Sequence, residues 1–119
     1  MANPFVHVEL TTGDLESSRA FYGKLFDWKF DTVPMDPSGP YTLIKVGEGT
    51  GGGMFEMADA PPMWLPYVLV DDIEAATAKA RSLGARLIRE NVEVKGVGWL
   101  TIFTDPQGAM LALWQQKPG

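Results

Sequence analysis

The second half of this chain repeats the first, and that restricts its fold more than any other feature. Placing Asp14 on Asp72, a shift of 58 residues, sets Leu15 on Ile73, Glu16 on Glu74, Ala20 on Ala78, Leu25 on Leu83 and Leu10 on Val68. The shift is close to half of the 119 residues, so two similar units are required. In the first, residues 5–10 alternate an aliphatic face (Val6, Val8, Leu10) with a face of His7 and Glu9 that continues to Thr11, the pattern of a strand with two unlike sides. Asp14 then caps a helix whose stripe is Leu15, Ser18, Phe21, Tyr22, Leu25 and Phe26. Residues 27–35 and 41–46 read as strands joined by a turn at Asp36-Pro37-Ser38-Gly39, and a glycine-rich run from Gly47 to Gly53 leads into a short fourth strand at 54–57.

The second unit repeats this order. A strand at 67–70 precedes a helix that starts at Asp71 or Asp72, carries the stripe Ile73, Ala76, Ala80 and Leu83, and stops at Gly84. Strands at 86–93, 99–104 and 109–115 follow, the last two joined by a hairpin-type turn at Asp105-Pro106-Gln107-Gly108. The expectation is an α+β fold in one domain, two tandem βαβββ modules at about 1–60 and 61–119. Each sheet gives one face to its helix, and the two curve around a central cavity. The cavity face then carries His7, Glu9 and Thr11 from the first strand and Leu65, Tyr67 and Leu69 from its counterpart, with His7 registered on Leu65.

Composition removes several classes of chemistry. With no cysteine there is no disulfide, thiolate zinc site or cysteine nucleophile, and one histidine rules out any two-histidine mechanism within the chain. A net charge of −5 argues against nucleic acid as a partner, because that affinity comes mainly from Lys and Arg on phosphate. No apolar run is long enough for a membrane span and the N-terminus carries no basic leader, so a cytoplasmic protein without a membrane partner is expected. Gly47 to Gly52 fits GxGxxG formally, but a strand follows where a nucleotide site needs a helix. Ser17 and Ser18 have no adjacent base to make a nucleophile of either.

His7-Val8-Glu9-Leu10, Asp14-Leu15-Glu16, Ala20-Phe21-Tyr22-Gly23 and Leu25-Phe26-Asp27-Trp28, with Val70-Asp71-Asp72-Ile73-Glu74 and Asp105-Pro106-Gln107-Gly108, resemble in order and spacing the vicinal oxygen chelate superfamily. This family includes glyoxalase I, the bleomycin and fosfomycin resistance proteins and the extradiol dioxygenases. The branch resembled most is the one related to lactoylglutathione lyase. The resemblance implies a glyoxalase-like fold whose catalytic members hold a divalent metal that is chelated by two neighbouring substrate oxygens. Of the family's four ligand positions, the first falls on His7 and the second on Glu56 if Gly52 corresponds to Gly108. The third falls on Leu65, with Trp64 as the neighbouring possibility, and the fourth on Ala112, and none of these can coordinate. His7 and Glu56 are therefore the candidate catalytic and metal residues, with Glu9 as a further carboxylate. Each also has a plain reading, His7 as an interior histidine bonded to Glu9 or Glu56, and the glutamates as solvated or Arg-paired groups. No tightly held cofactor is expected, a weakly bound divalent metal being the alternative.

Aromatic side chains stand near the two lost positions. Trp64, Tyr67, Trp99, Phe103 and Trp114 together with Glu9 are the candidate ligand-binding set, and an aromatic, acidic cavity suits a small organic ligand, preferably a cation. The functional expectation is a glyoxalase/bleomycin-resistance-like protein that binds such a ligand without the family's full metal set. The alternative is a metal-dependent lyase, isomerase or dioxygenase acting on vicinal oxygens. Related proteins often complete their cavities across two chains, so the resemblance also implies a homodimer.

Overall fold

The computed structural model describes residues 2–35 and 39–118, so most of the turn expected at Asp36-Pro37-Ser38-Gly39 lies outside the described residues. The elements run β1 (Phe5–Thr12), α1 (Leu15–Leu25), β2 (Lys29–Met35), β3 (Gly39–Lys45), β4 (Gly52–Glu56), β5 (Met63–Leu69), α2 (Ile73–Ser82), β6 (Arg86–Val94), β7 (Gly98–Thr104) and β8 (Met110–Gln116). This is the α+β order of strand, helix and three strands, twice. The chain divides into two compact units, His7–Trp64, and Leu65–Gly119 joined by Met1–Val6. The first residues thus belong with the second half: the Leu69 N–H donates to the Pro4 carbonyl at 2.9 Å, and Asn3 Nδ2 donates to the Leu69 carbonyl at 2.9 Å.

In the unit His7–Trp64 the strand order is β2-β3-β4-β1, with β1 and β4 parallel and the other pairs antiparallel. The intervening helix and hairpin provide the crossover that a parallel pair needs. Register pairs Val8 with Gly52, Glu9 with Gly53, Leu10 with Met54 and Thr12 with Glu56 on β1 and β4, and Thr42 with Met54 on β3 and β4. Paired residues share a face, so Val8, Leu10, Thr12, Thr42, Ile44, Met54 and Glu56 form one side, and His7, Glu9, Thr11, Tyr41, Gly53 and Phe55 the other. The first side meets α1: Leu10, Ile44 and Met54 are buried, with Leu15, Tyr22, Trp28, Phe30 and Trp64 against them, and Thr12 Oγ1 bonds Ser18 Oγ at 2.8 Å.

The expected stripe of α1 is only half used. Leu15 and Tyr22 meet the core, whereas Phe21, Leu25 and Phe26 are 59%, 57% and 44% exposed. The rings of Phe21 and Phe26 lean instead on Tyr22 and Trp28, at 4.9 and 4.7 Å between centroids. Asp14 is the N-cap, its Oδ1 accepting the Ser17 N–H at 3.1 Å and its Oδ2 the Ser17 hydroxyl at 2.8 Å. The Ser17 N–H, and then its hydroxyl, hold the Asp14 carboxyl below its ordinary value of 3.8. A carboxyl lowered in the folded state contributes stability that is fully present above pH 3.8 and is lost as pH falls through the lowered value. Unfolding followed against pH should therefore show an acid-side loss below about pH 4 that is smaller in Asp14→Asn.

In the second unit the order is β5-β8-β7-β6. Asp72 Oδ1 caps α2 through the Ala75 N–H at 3.1 Å, Gln115 Oε1 accepts the Ile73 N–H at 2.8 Å, and Gly84, at φ +102°, ends the helix in the left-handed conformation. Leu83, expected in the apolar stripe, is 70% exposed, and the buried helix positions are Ile73 and Thr77. Thr77 Oγ1 meets Thr101 Oγ1 at 2.8 Å and donates to Asn91 Oδ1 at 3.3 Å, while Thr101 Oγ1 accepts the Asn91 N–H at 3.0 Å. Asn91, at φ +49°, sits where the β6–β7 register shifts, so this buried network pins an irregular strand to α2. Thr101→Val removes its hub and leaves a donor without its acceptor. A loss of about 2 kcal/mol is expected by chemical denaturation.

Candidate functional site

The face of the first unit turned away from α1 carries its polar centre. On β1, His7 and Glu9 stand two residues apart on the same side, half-buried, with side-chain exposures of 27% and 16%. Tyr41, from β3, reaches between them across β4. Its hydroxyl donates to Glu9 Oε1 at 2.7 Å and lies 2.8 Å from His7 Nε2, while the imidazole and carboxylate are 3.7 Å apart. Because the phenol proton is given to Glu9, the bond at His7 requires Nε2–H to donate, which sets the tautomer of the neutral ring. The His7 and Tyr41 rings stack at 6.3 Å and 23°, and Tyr41 and Phe55 at 6.4 Å and 28°.

Gly53 makes this reach possible. A Cβ built there would fall 1.9 Å from the Tyr41 hydroxyl and 2.2 Å from Cζ, so the ring crosses β4 only where the strand has no side chain. The last two glycines of the run are thus strand rather than loop, and Gly52, whose Cβ would fall 2.0 Å from the Val8 carbonyl oxygen, serves the β1–β4 contact itself.

Glu56 is not brought to His7. It pairs with Thr12 on the helix side, is exposed, and its Oε1 accepts the Leu15 N–H at 2.9 Å, satisfying an orphan donor of the first turn of α1. The difference originates in the glycine run. Tyr67 pairs with Ala112 as Glu9 pairs with Gly53, so the counterpart of Ala112 is Gly53, three residues before Glu56. The remaining candidates also divide. Tyr67 and Trp114 lie on the face of Leu65 and Ala112, with their rings 6.3 Å apart, and a Cβ at Gly98 would meet the Trp114 ring at 2.6 Å. Trp99 and Phe103 share a face with Thr101 on β7, and Thr101 bonds α2, so both lie on the helix side of the second sheet. Lys117 covers the Trp99 ring at 5.1 Å. Trp64 belongs to the helix side of the first unit, where its Nε1 donates to the Tyr22 hydroxyl at 3.4 Å. With Val8, Trp28, Ile44 and Val46 it lines an apolar recess of about 240 Å³.

A divalent metal held by the family's four positions does not fit these residues. The position of His7 has a donor, but Gly53, Leu65 and Ala112 offer none, and no three His, Asp or Glu side chains converge among the described residues. The available arrangement is a carboxylate–phenol–imidazole chain. It can hold a ligand donor at Glu9 and pass a proton along its length.

Residues 5–113 match the Glyoxalase/Bleomycin resistance protein/Dioxygenase superfamily, and the chain belongs to that family. It is 30% identical over 112 residues to CFP32, a glyoxylase by name, from Mycobacterium tuberculosis (strain CDC 1551 / Oshkosh), covering 92% of this chain and 43% of that protein. It is 27% identical over 127 residues to the anthracycline biosynthesis protein DnrV of Streptomyces peucetius, covering 91% and 45%. The chain thus spans less than half the length of these relatives. It is also 30% identical over 124 residues to lactoylglutathione lyase of Escherichia coli O157:H7, covering 94% of this chain and 92% of that enzyme. Among solved structures, methylmalonyl-CoA epimerase from Mycobacterium tuberculosis superposes with a TM-score of 0.72 at 19% identity over 96% of this chain and 88% of that one, a likeness of fold. Among the described residues no helix is long and apolar enough to cross a membrane.

Proposed function

We propose that this chain binds a small organic ligand on the face of its first unit opposite α1, with a donor-bearing end of the ligand at Glu9 and its body against Tyr41 and Phe55. The hydrogen-bonded centre formed by His7, Tyr41 and Glu9 carries the reading, since it gathers polar groups from two strands onto a half-buried face beside stacked rings. The carboxylate brings negative charge to this centre and the chain as a whole carries −5, so an ammonium or hydroxyl group is the favoured ligand end. The family includes resistance proteins that bind and enzymes that act. The mismatch between these side chains and the family's ligand set favours binding without the chelate mechanism.

The test is a calorimetric screen of small primary and quaternary ammonium compounds and neutral aromatic alcohols. Compounds that bind the parent chain are expected to lose at least tenfold in affinity with Glu9→Gln, which keeps an acceptor for Tyr41 but removes the charge. Unchanged affinity would remove Glu9 from the site.

A further inference from the structure

Beyond the donors missing at Gly53, Leu65 and Ala112, Tyr41 opposes a metal at the two donors that remain, His7 and Glu9. His7 Nε2 and Glu9 Oε1, 3.7 Å apart, are spaced as two ligands of one cation are, since bonds of about 2.0–2.2 Å from an ion to each can span that distance. The Tyr41 hydroxyl occupies the notch between them, 2.8 and 2.7 Å from the same two atoms. It also engages both in the form that opposes a metal: the imidazole nitrogen that would coordinate donates its proton, and the carboxylate oxygen that would coordinate accepts one. Because the phenol donates its proton to Glu9, it enters the notch as a hydrogen-bonding group and not as an anionic ligand. Gly53 is the second half of the device. It stands where the strand pairing places the family's second ligand, supplies no donor, and leaves the space through which the Tyr41 ring crosses the strand.

We propose that Tyr41, admitted by Gly53, is the specificity-determining residue of this site: its hydroxyl takes the place of a cation between His7 and Glu9 and converts a two-ligand metal notch into a closed hydrogen-bonded centre. The inference rests on the site of the proposed function. Its test uses metal ions alone, so that organic-ligand binding and metal exclusion can fail independently.

The full chain, stripped with a chelator, is titrated with Co²⁺ and then Zn²⁺, with binding read by Co²⁺ absorbance and calorimetry and folding by circular dichroism. The parent chain is expected to show only weak binding that His7→Ala leaves unchanged. Tyr41→Phe keeps the ring and removes the hydroxyl, and should bind at least tenfold more tightly, a gain abolished when His7→Ala is added. Gly53→Ala reaches the same opening from the other side by forcing the ring away, and should show the same His7-dependent gain. Tyr41→Phe decides the matter where Gly53→Ala fails to fold. Stoichiometric binding by the parent chain that requires His7 and is lost in Tyr41→Phe would make Tyr41 a ligand and overturn the proposal. Affinity in Tyr41→Phe no better than in the parent would overturn it equally.

Discussion

Gly52→Ala is expected to lower the stability of the chain by about 3 kcal/mol, a midpoint shift of roughly 15 °C for a domain of this size. The reason is a backbone contact that side-chain motion cannot relieve. A Cβ at position 52 would lie 2.0 Å from the Val8 carbonyl oxygen and 3.1 Å from its carbon, so β1 and β4 must separate where their parallel pairing begins. The Val8 N–H bonds the Gly51 carbonyl at 3.2 Å in the same place and would be strained with it. The next pair in register is Glu9 with Gly53, so the site should loosen together with the fold. Gly13→Ala is the matched control. Nothing lies within 4 Å of a Cβ there, and a change within about 0.5 kcal/mol is expected in the same denaturation experiment.

The second large effect concerns binding. A hydrogen bond from a ligand to a charged acceptor contributes about 1.5–3 kcal/mol, so Glu9→Gln should weaken an ammonium ligand by roughly 10- to 150-fold. A neutral alcohol, which loses no charge pairing, should weaken less. The Tyr41 hydroxyl can still donate to the amide oxygen that replaces the carboxylate, so thermal stability should stay within a few degrees of the parent, and the loss can be assigned to the ligand contact. Equal weakening of both ligand classes would point to a displaced Tyr41 and not to the lost charge.

The alternation around His7 places it on the face opposite the helix together with Glu9, and strand pairing puts both there. Asp14 and Asp72 read as caps because a short acceptor before an apolar stripe is a local signal, and each accepts the expected N–H. What the sequence misplaces depends on register between strands. Tyr41 is invisible there as a site residue because its role needs Gly53 to face the same way on the strand between β3 and β1, which no spacing along the chain encodes. Matching Glu56 through the glycines assumes that the run before β4 and the turn before β8 have equal lengths, and strand pairing sets the difference at three residues. Trp99 and Phe103 share a face with Thr101 by strand alternation, but which side of β7 meets α2 is shown by contacts between elements, such as that of the Thr77 and Thr101 hydroxyls.

The most direct test of the central claim is where a bound ligand acts. A compound from the ammonium and alcohol screen should be titrated into labelled protein and followed by heteronuclear NMR. Shift changes are expected to centre on His7, Glu9, Tyr41 and Phe55, and to vanish for that compound in Glu9→Gln. Shifts centred on the Trp28 and Trp64 recess, or on Tyr67 and Trp114, with His7 and Glu9 undisturbed, would contradict the account.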